Sequence, residues 1–228
     1  MDSAHGANPA IYDNMAYDTL KDIDSIGMIA RIPMVLLVTP SLPVKSVKEL
    51  VAYAKANPGK LNYGSAGTGS AMFLVAELFK SAANIEVMQI AYKGGGPAMV
   101  DLAGGQIPML FISLVAGMPL VHSGRARALG VSSATRFPAF PELPTIAESG
   151  VDFYLWQAML APAGLSRATV AQLNGELNKA LGNAEVKTRM TQQGNELMGG
   201  TPQQATAFIS AEIARWRKII KPEMRITR

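Results

Sequence analysis

The stretch NYGSAGTGSAMFLVAELF (Asn62–Phe79) decides how the rest of the chain is read. Gly64, Gly67 and Gly69 stand among small hydroxyl residues, and an apolar helical pattern begins directly behind them. Ahead of the loop, KLNYGS reads as a short strand. Behind it, Met72, Val75, Ala76 and Phe79 recur at helical spacing, while Phe73, Leu74 and Leu78 make the other sides apolar too, which predicts a helix covered on most of its surface. A glycine-rich turn between a strand and a helix leaves backbone N–H groups unpaired at the positive end of the helix dipole. Small residues then let an anion approach, and Ser65, Thr68 and Ser70 can add hydroxyl donors or act as caps. A single loop of this kind is more commonly just a tight turn with an N-cap.

The pattern returns in VMQIAYKGGGPAMVDLAGG (Val87–Gly105). It predicts a strand from about 87 to 91, a glycine loop, Pro97 at the first helical position and a glycine stop at Gly104 and Gly105. Two loops, YGSAGTGS and YKGGGP, at the same strand-to-helix position point to a shared site for a small anion, a carboxylate, at the carboxyl ends of the strands.

Around these units other elements alternate. RIPMVLLVTP (Arg31–Pro40) reads as a buried strand stopped by proline. Ser46 and Glu49 form a capping box for a helix with Val47, Leu50, Val51 and Ala54 on one face and Pro58-Gly59 at its end. IPMLFIS predicts a strand, VAGMPLVHSG a short helix and RARALGVSS another strand. Strands separated by helices imply parallel pairing, hence an α/β sheet with helices on both faces. RFPAFPELPTIAESG, stiffened by Pro138, Pro141 and Pro144, reads as an extended surface connection, and after YLWQAMLAPAG the remainder reads as helical. There, Val170, Leu173, Leu177 and Ala180 mark one face, and Thr201-Pro202 with Gln204 caps a last helix with Ala205, Phe208, Ile209, Ile213 and Trp216 inward.

Composition limits the function classes. With 228 residues, 49% hydrophobic and 17% charged, the chain can bury a substantial core. Without cysteine it has neither a disulfide framework nor a thiolate metal site. The start MDSAHGANPAIYDNM lacks the basic and apolar regions of a signal peptide, and no apolar run approaches the ~20 residues needed to span a bilayer, so the chain reads as soluble. A net charge of +4 spread along the chain argues against nucleic acid as a partner, and Arg215, Arg217, Lys218 and Lys221 read as the solvated end of the last helix.

Catalytic motifs are missing. His5 and His122 are the only histidines, GSAGTGS is not the Gly-x-Ser-x-Gly elbow, and no Gly-Lys-Ser/Thr ending makes it a phosphate-binding Walker loop. In the dinucleotide fingerprint the short glycine spacing comes first, whereas here it comes last. No metal or cofactor is expected.

PSLPVKSVKELVAYAKANPGKLNYGSAGTGS, AYKGGGPAMVDLAGGQIPMLF, GRARALGVSSATRFPAFPELPTIAESG and LAPAGLSRATVAQLN follow one another at spacings that resemble the Bug-type substrate-binding proteins of tripartite tricarboxylate transporters. The resemblance implies a two-lobed type II periplasmic-binding-protein-like α/β fold. In that fold a small organic carboxylate is closed between the lobes and handed to membrane transporter subunits in the periplasm, without catalysis or cofactor. Residues 29–150 would form lobe two, and 1–28 with 151–228 the remainder of lobe one. Carried onto this chain, the ligand loops are Ser65, Ala66, Gly67, Thr68, Gly69 and Ser70, and Tyr92, Lys93, Gly94 and Gly95. Ser3–Pro9, with His5, corresponds to a first-lobe loop, and Trp156 to an aromatic position that packs or touches ligand. Where many relatives carry Asp-Asn after the phenylalanine of MLFIS, this chain has Ile112-Ser113, which removes a carboxylate and favours ligands without an amino group. The family has further strands and a glycine loop before the segment matching Ser3. The first lobe is therefore expected to be incomplete, in a shortened chain that self-associates through it. Two other readings stay open: an enzyme on the same scaffold taking a phosphate or acyl substrate, and a regulatory effector-binding domain.

Overall fold

A computed structural model describes residues 3–138 and 140–220, with Pro222 and Arg225. Lys221, one of the four basic residues at the end of the last helix, lies outside the described residues. Two compact units emerge, Met1–Ile32 with Leu155–Arg228, and Pro33–Tyr154.

The second unit holds both glycine loops. Its strands are the end of β1 (Ile23–Val38), β2 (Asn62–Ser65), β3 (Met88–Ala91), β4 (Met109–Ser113) and β5 (Arg127–Val131), in the order β3-β2-β4-β1-β5. β2 is parallel to both β3 and β4, as expected of strands joined through helices. The expectation of a wholly parallel sheet fails at β1, which lies antiparallel between β4 and β5, with Leu36 opposite Phe111 and Gly130. β1 also begins eight residues before the apolar run that announced it. Val35, Leu36, Leu37 and Val38 are each 0% exposed, so the buried half carried the hydrophobic signal and the rest did not.

The helices of this unit are α2 (Val47–Ala56), α3 (Ala71–Ala83), α4 (Gly95–Ala103) and α5 (Leu114–His122), preceded in chain order by α1 (Ala4–Ile11) of the first unit. Ser46 caps α2 by accepting from the Glu49 N–H. The return bond departs from a capping box, because the Glu49 carboxylate accepts from the Lys45 N–H instead. α3 is buried on nearly every side, Met72 through Phe79, and Phe79 meets Phe111 edge-on at 5.7 Å. α4 begins two residues earlier than Pro97 suggested, since Gly94 at φ 125° supplies the N-cap conformation. The proline-rich connection is not a surface segment throughout, because Phe137, Leu143 and Ile146 are buried.

The first unit contains α1, β6 (Tyr154–Pro162), α6 (Arg167–Gly182), α7 (Ala184–Gln192), β7 (Glu196–Gly199) and α8 (Pro202–Ile219). Both β6 and β7 pair with β1, and Arg31 faces Glu196 across the antiparallel β1–β7 ladder with Nε 2.8 Å from Oε2. The strand β7 corrects the expectation of an all-helical remainder. Ser3–Pro9 is likewise no loop but the start of α1, which packs on α8. Gly6 allows that contact, because a Cβ there would lie 3.1 Å from Glu212 Cβ and 3.3 Å from the Trp156 ring. α6 has no buried residue, and Ala180 of its expected inner face is exposed. The core of the unit is Met28, Trp156, Ala158, Ala205, Ile209 and Ile213. α8 has the full capping box, with reciprocal bonds between Thr201 and Gln204.

Candidate anion site at the glycine loops

Because β3, β2 and β4 are neighbours and parallel, their carboxyl ends lie side by side, and each is followed at once by the N-terminus of a helix. Ser70 caps α3, Gly94 caps α4 and Ser113 caps α5. At the start of α4, a Cβ on Gly95 would come within 2.8 Å of Ile112 Cδ1 near the end of β4 and 3.7 Å of Met72 Sδ in the first turn of α3. Three positive dipole ends therefore converge on one edge of the sheet.

Two glycines shape the approach. Gly67 at φ 95° and Gly94 at φ 125° hold conformations that a side chain would strain, and a Cβ on either would meet nothing within 4 Å. The loops are thus open outward at both turns. Inside the first loop, the Ser70 hydroxyl donates to the Gly67 carbonyl at 2.7 Å and accepts from the Phe73 N–H at 3.3 Å. Ser65 Oγ accepts from the Gly67 N–H at 3.1 Å and from Gln89 Nε2 at 2.7 Å. The Tyr92 N–H donates to the Ser65 carbonyl at 2.8 Å, tying the two loops together. Among the described residues, the N–H groups of Ala71 and Met72 in α3 and of Gly95 and Gly96 in α4 take no protein acceptor. They are the orphan donors of two helix starts, available to an anion.

Side chains add less charge than backbone. Lys93, exposed, is the single cation of the two loops. The Tyr92 hydroxyl donates to Asp101 Oδ2 at 2.8 Å, which holds the second loop to α4. Desolvation first, then the bond and the charge of Asp101, push the Tyr92 phenol up to about 12. Ser65 and Gly69 are buried, Ala66 is exposed, and Gly67, Thr68, Ser70, Tyr92, Gly94, Gly95 and Ser113 are partly exposed. The ten loop residues and Ser113 therefore belong to one edge of the second unit.

His5 and Trp156 belong to the first unit. His5 lies on α1 with its ring 6.2 Å from that of Tyr17, and its carbonyl accepts from Thr19 Oγ1. Trp156 is 1% exposed; its ring meets Phe208 edge-on at 5.7 Å, its indole N–H points to Glu212 Oε2 at 3.3 Å, and its backbone N–H donates to Ser3 Oγ. Every polar group of Trp156 named here is engaged in packing its own unit.

Three polar residues near the loops escaped the sequence reading: Gln89, Asp101 and Glu77. Glu77 is 3% exposed, and its Oε1 accepts from the Tyr63 hydroxyl at 2.8 Å and lies 2.6 Å from Lys80 Nζ. Burial above all, then the charge and bond of Glu77, drive the Tyr63 phenol far above its ordinary range. A lone carboxylate inside the apolar run AMFLVAELF was the available signal. For Gln89 the signal was weaker, a polar residue in a short strand. Among the described residues, no group of three or more His, Asp or Glu side chains could hold a metal ion.

A family model described as the tripartite tricarboxylate transporter family receptor matches residues 1–224. BugT of Bordetella pertussis is 33% identical over 215 residues, covering 93% of this chain and 66% of BugT. Among solved structures, R. palustris Rpa4515 with adipate superposes with a TM-score of 0.87 at 38% identity, covering 96% of this chain and 75% of that one. MatC (Rpa3494) from Rhodopseudomonas palustris with bound malate gives 0.82 at 27% identity, covering 96% and 77%. The chain spans just under two thirds of the length of two curated relatives it matches, 66% of BugT and 63% of a protein from Pseudomonas sp. (strain P51). Its mixed α/β fold is that of the solved periplasmic binding proteins of this type. By the extent of the family match, the chain belongs to the tripartite tricarboxylate transporter receptor family.

Proposed function

We propose that this chain is a solute-binding receptor that takes a small organic carboxylate at the edge formed by β3, β2 and β4, without changing it chemically. The observation that carries the reading is the convergence of three helix N-termini on one sheet edge, with orphan N–H donors on α3 and α4. Such an array favours a charged oxygen ligand over a neutral one, because several oriented dipoles face it and no side-chain carboxylate replaces Ile112-Ser113 to oppose it. Solved relatives with adipate and with malate agree in ligand class. A relative described as the periplasmic binding protein BugD, 28% identical, supports a periplasmic setting, and the family supports delivery to membrane transporter subunits.

The test is a thermal-shift and calorimetric titration with adipate and malate, on the parent chain and on Gly67→Val. A ligand at about 100 times its Kd should raise stability by about 2.7 kcal/mol. The valine side chain enters open space at φ 95°, so it costs ~1–3 kcal/mol of backbone strain and obstructs the loop. The variant should keep its far-ultraviolet spectrum and lose binding. Equal affinity in Gly67→Val would reduce the loop to a turn.

A further inference from the structure

The starts of α3 and α4 are fastened differently. Ser70 caps α3 by accepting from the Phe73 N–H at 3.3 Å, whereas α4 has no side-chain cap. In the first turn of α4 two N–H groups can serve an anion, those of Gly95 and Gly96, because Pro97 has none. A capping side chain would consume one of them. The turn that carries them, Gly94-Gly95-Gly96, is all glycine, the residue with the most conformational freedom to lose, and a Cβ on Gly94 or Gly96 would meet nothing within 4 Å. Tyr92 supplies a hold from just before this turn. Its N–H donates to the Ser65 carbonyl at 2.8 Å, which ties it to β2, and its hydroxyl donates to Asp101 Oδ2 at 2.8 Å, nine positions further on. The direction of the second bond is fixed, since a carboxylate can only accept. Asp101 is a firm anchor: it lies within α4 beside Leu102, which is 0% exposed, and its carbonyl accepts from the Gln106 N–H at 2.8 Å.

We infer that Asp101 is a positioning residue of the loop site: by accepting from the Tyr92 hydroxyl it fixes the three-glycine turn against α4 without occupying either N–H that the turn presents to an anion. It acts through Tyr92 and touches no ligand itself. The inference rests on the carboxylate reading of the site. It adds how two donors are both free and in place before a ligand arrives, so that binding does not have to order the glycines. Without the bond the competent turn becomes one conformation among several, and the apparent affinity falls with the fraction that stays competent.

The experiment measures affinities for adipate and malate by calorimetry, and the order of the Gly94, Gly95 and Gly96 amides by NMR relaxation in the ligand-free chain. The proteins are the parent, Tyr92→Phe, Asp101→Ala, Asp101→Asn and the double variant Tyr92→Phe with Asp101→Ala. Both side chains are partly exposed, so the variants should keep the fold. Tyr92→Phe and Asp101→Ala should each loosen the turn and weaken binding about fivefold or more, as when the competent turn falls to about a fifth of the population. The double variant should bind no more weakly than the weaker single one, because the two residues share one bond. Asp101→Asn, which keeps an oxygen that accepts, should restore most of the affinity and of the order. A merely structural bond would lower the urea midpoint and leave affinity and turn order at parent values, which would overturn the inference. So would losses that add in the double variant, or an Asp101→Asn as weak as Asp101→Ala. Failure of the parent to bind either carboxylate would instead overturn the receptor reading, and this assignment with it.

Discussion

Removing Tyr63 and Glu77 separately and then together should give a sum of losses far larger than the loss in the double variant. Tyr63 is 0% exposed and Glu77 3%, and their hydrogen bond is 2.8 Å long. In Glu77→Leu the phenol hydroxyl stays buried without an acceptor, at ~1–3 kcal/mol. Lys80 adds little to that loss, since its side chain is 21% exposed and its ammonium can turn to water. In Tyr63→Phe the carboxylate keeps Lys80 but loses one bond to a charged acceptor, about 1.5 kcal/mol at the lower end of such bonds. The double variant leaves neither group stranded and fills the space with apolar atoms, so its cost should fall to about 1 kcal/mol or less. The coupling is then ~2–3 kcal/mol. Urea unfolding followed by far-ultraviolet circular dichroism measures it, because Trp156 and Trp216 both lie in the first unit and their fluorescence would not report on the second. Additive losses would refute the reasoning and show that the two groups stabilise the fold independently.

Gly117→Ala should destabilise the chain by ~1–3 kcal/mol in the same urea assay, because the new Cβ would sit 2.8 Å from both Ile112 Cγ2 and Val35 Cγ1, against branched side chains held in the sheet. Thr201→Ala should cost ~1 kcal/mol through loss of the α8 cap, and Thr201→Ser should restore most of it. Alkaline titration should reveal Tyr92. Its phenol is raised in the folded chain from 10.0 to about 12, so the stability it contributes is complete below pH 10.0 and disappears as pH climbs toward about 12. That part of the alkaline loss should be absent in Tyr92→Phe.

Much of the second unit was legible because its signals are local. The glycine loops, the caps at Ser46 and Ser70, and the apolar run of α3 each announce an element within a few residues. What escaped depends on partners distant in sequence. The first half of β1, with Asp24 and Gly27 in it, has no strong apolar run and owes its strand form to pairing with β6 and β7. β7 is four residues long and ends at Gly199, too short for alternation to show. α1 contains Gly6 and Pro9, poor helix formers, and is held by its packing on α8. In the site, the loops were visible as glycine turns. The burial of Ser65 and Trp156 was not, because their neighbours are Gln89 of an adjacent strand and Phe208 and Glu212 of α8.

The most direct measurement is an amide-resolved NMR titration of this chain with adipate. The account predicts saturable shifts concentrated at Thr68, Gly69, Ala71 and Met72 of the first loop and helix start, and at Gly95 and Gly96 of the second, with the adipate recovered unchanged. Saturable binding that moves other amides and leaves these six in place would contradict it.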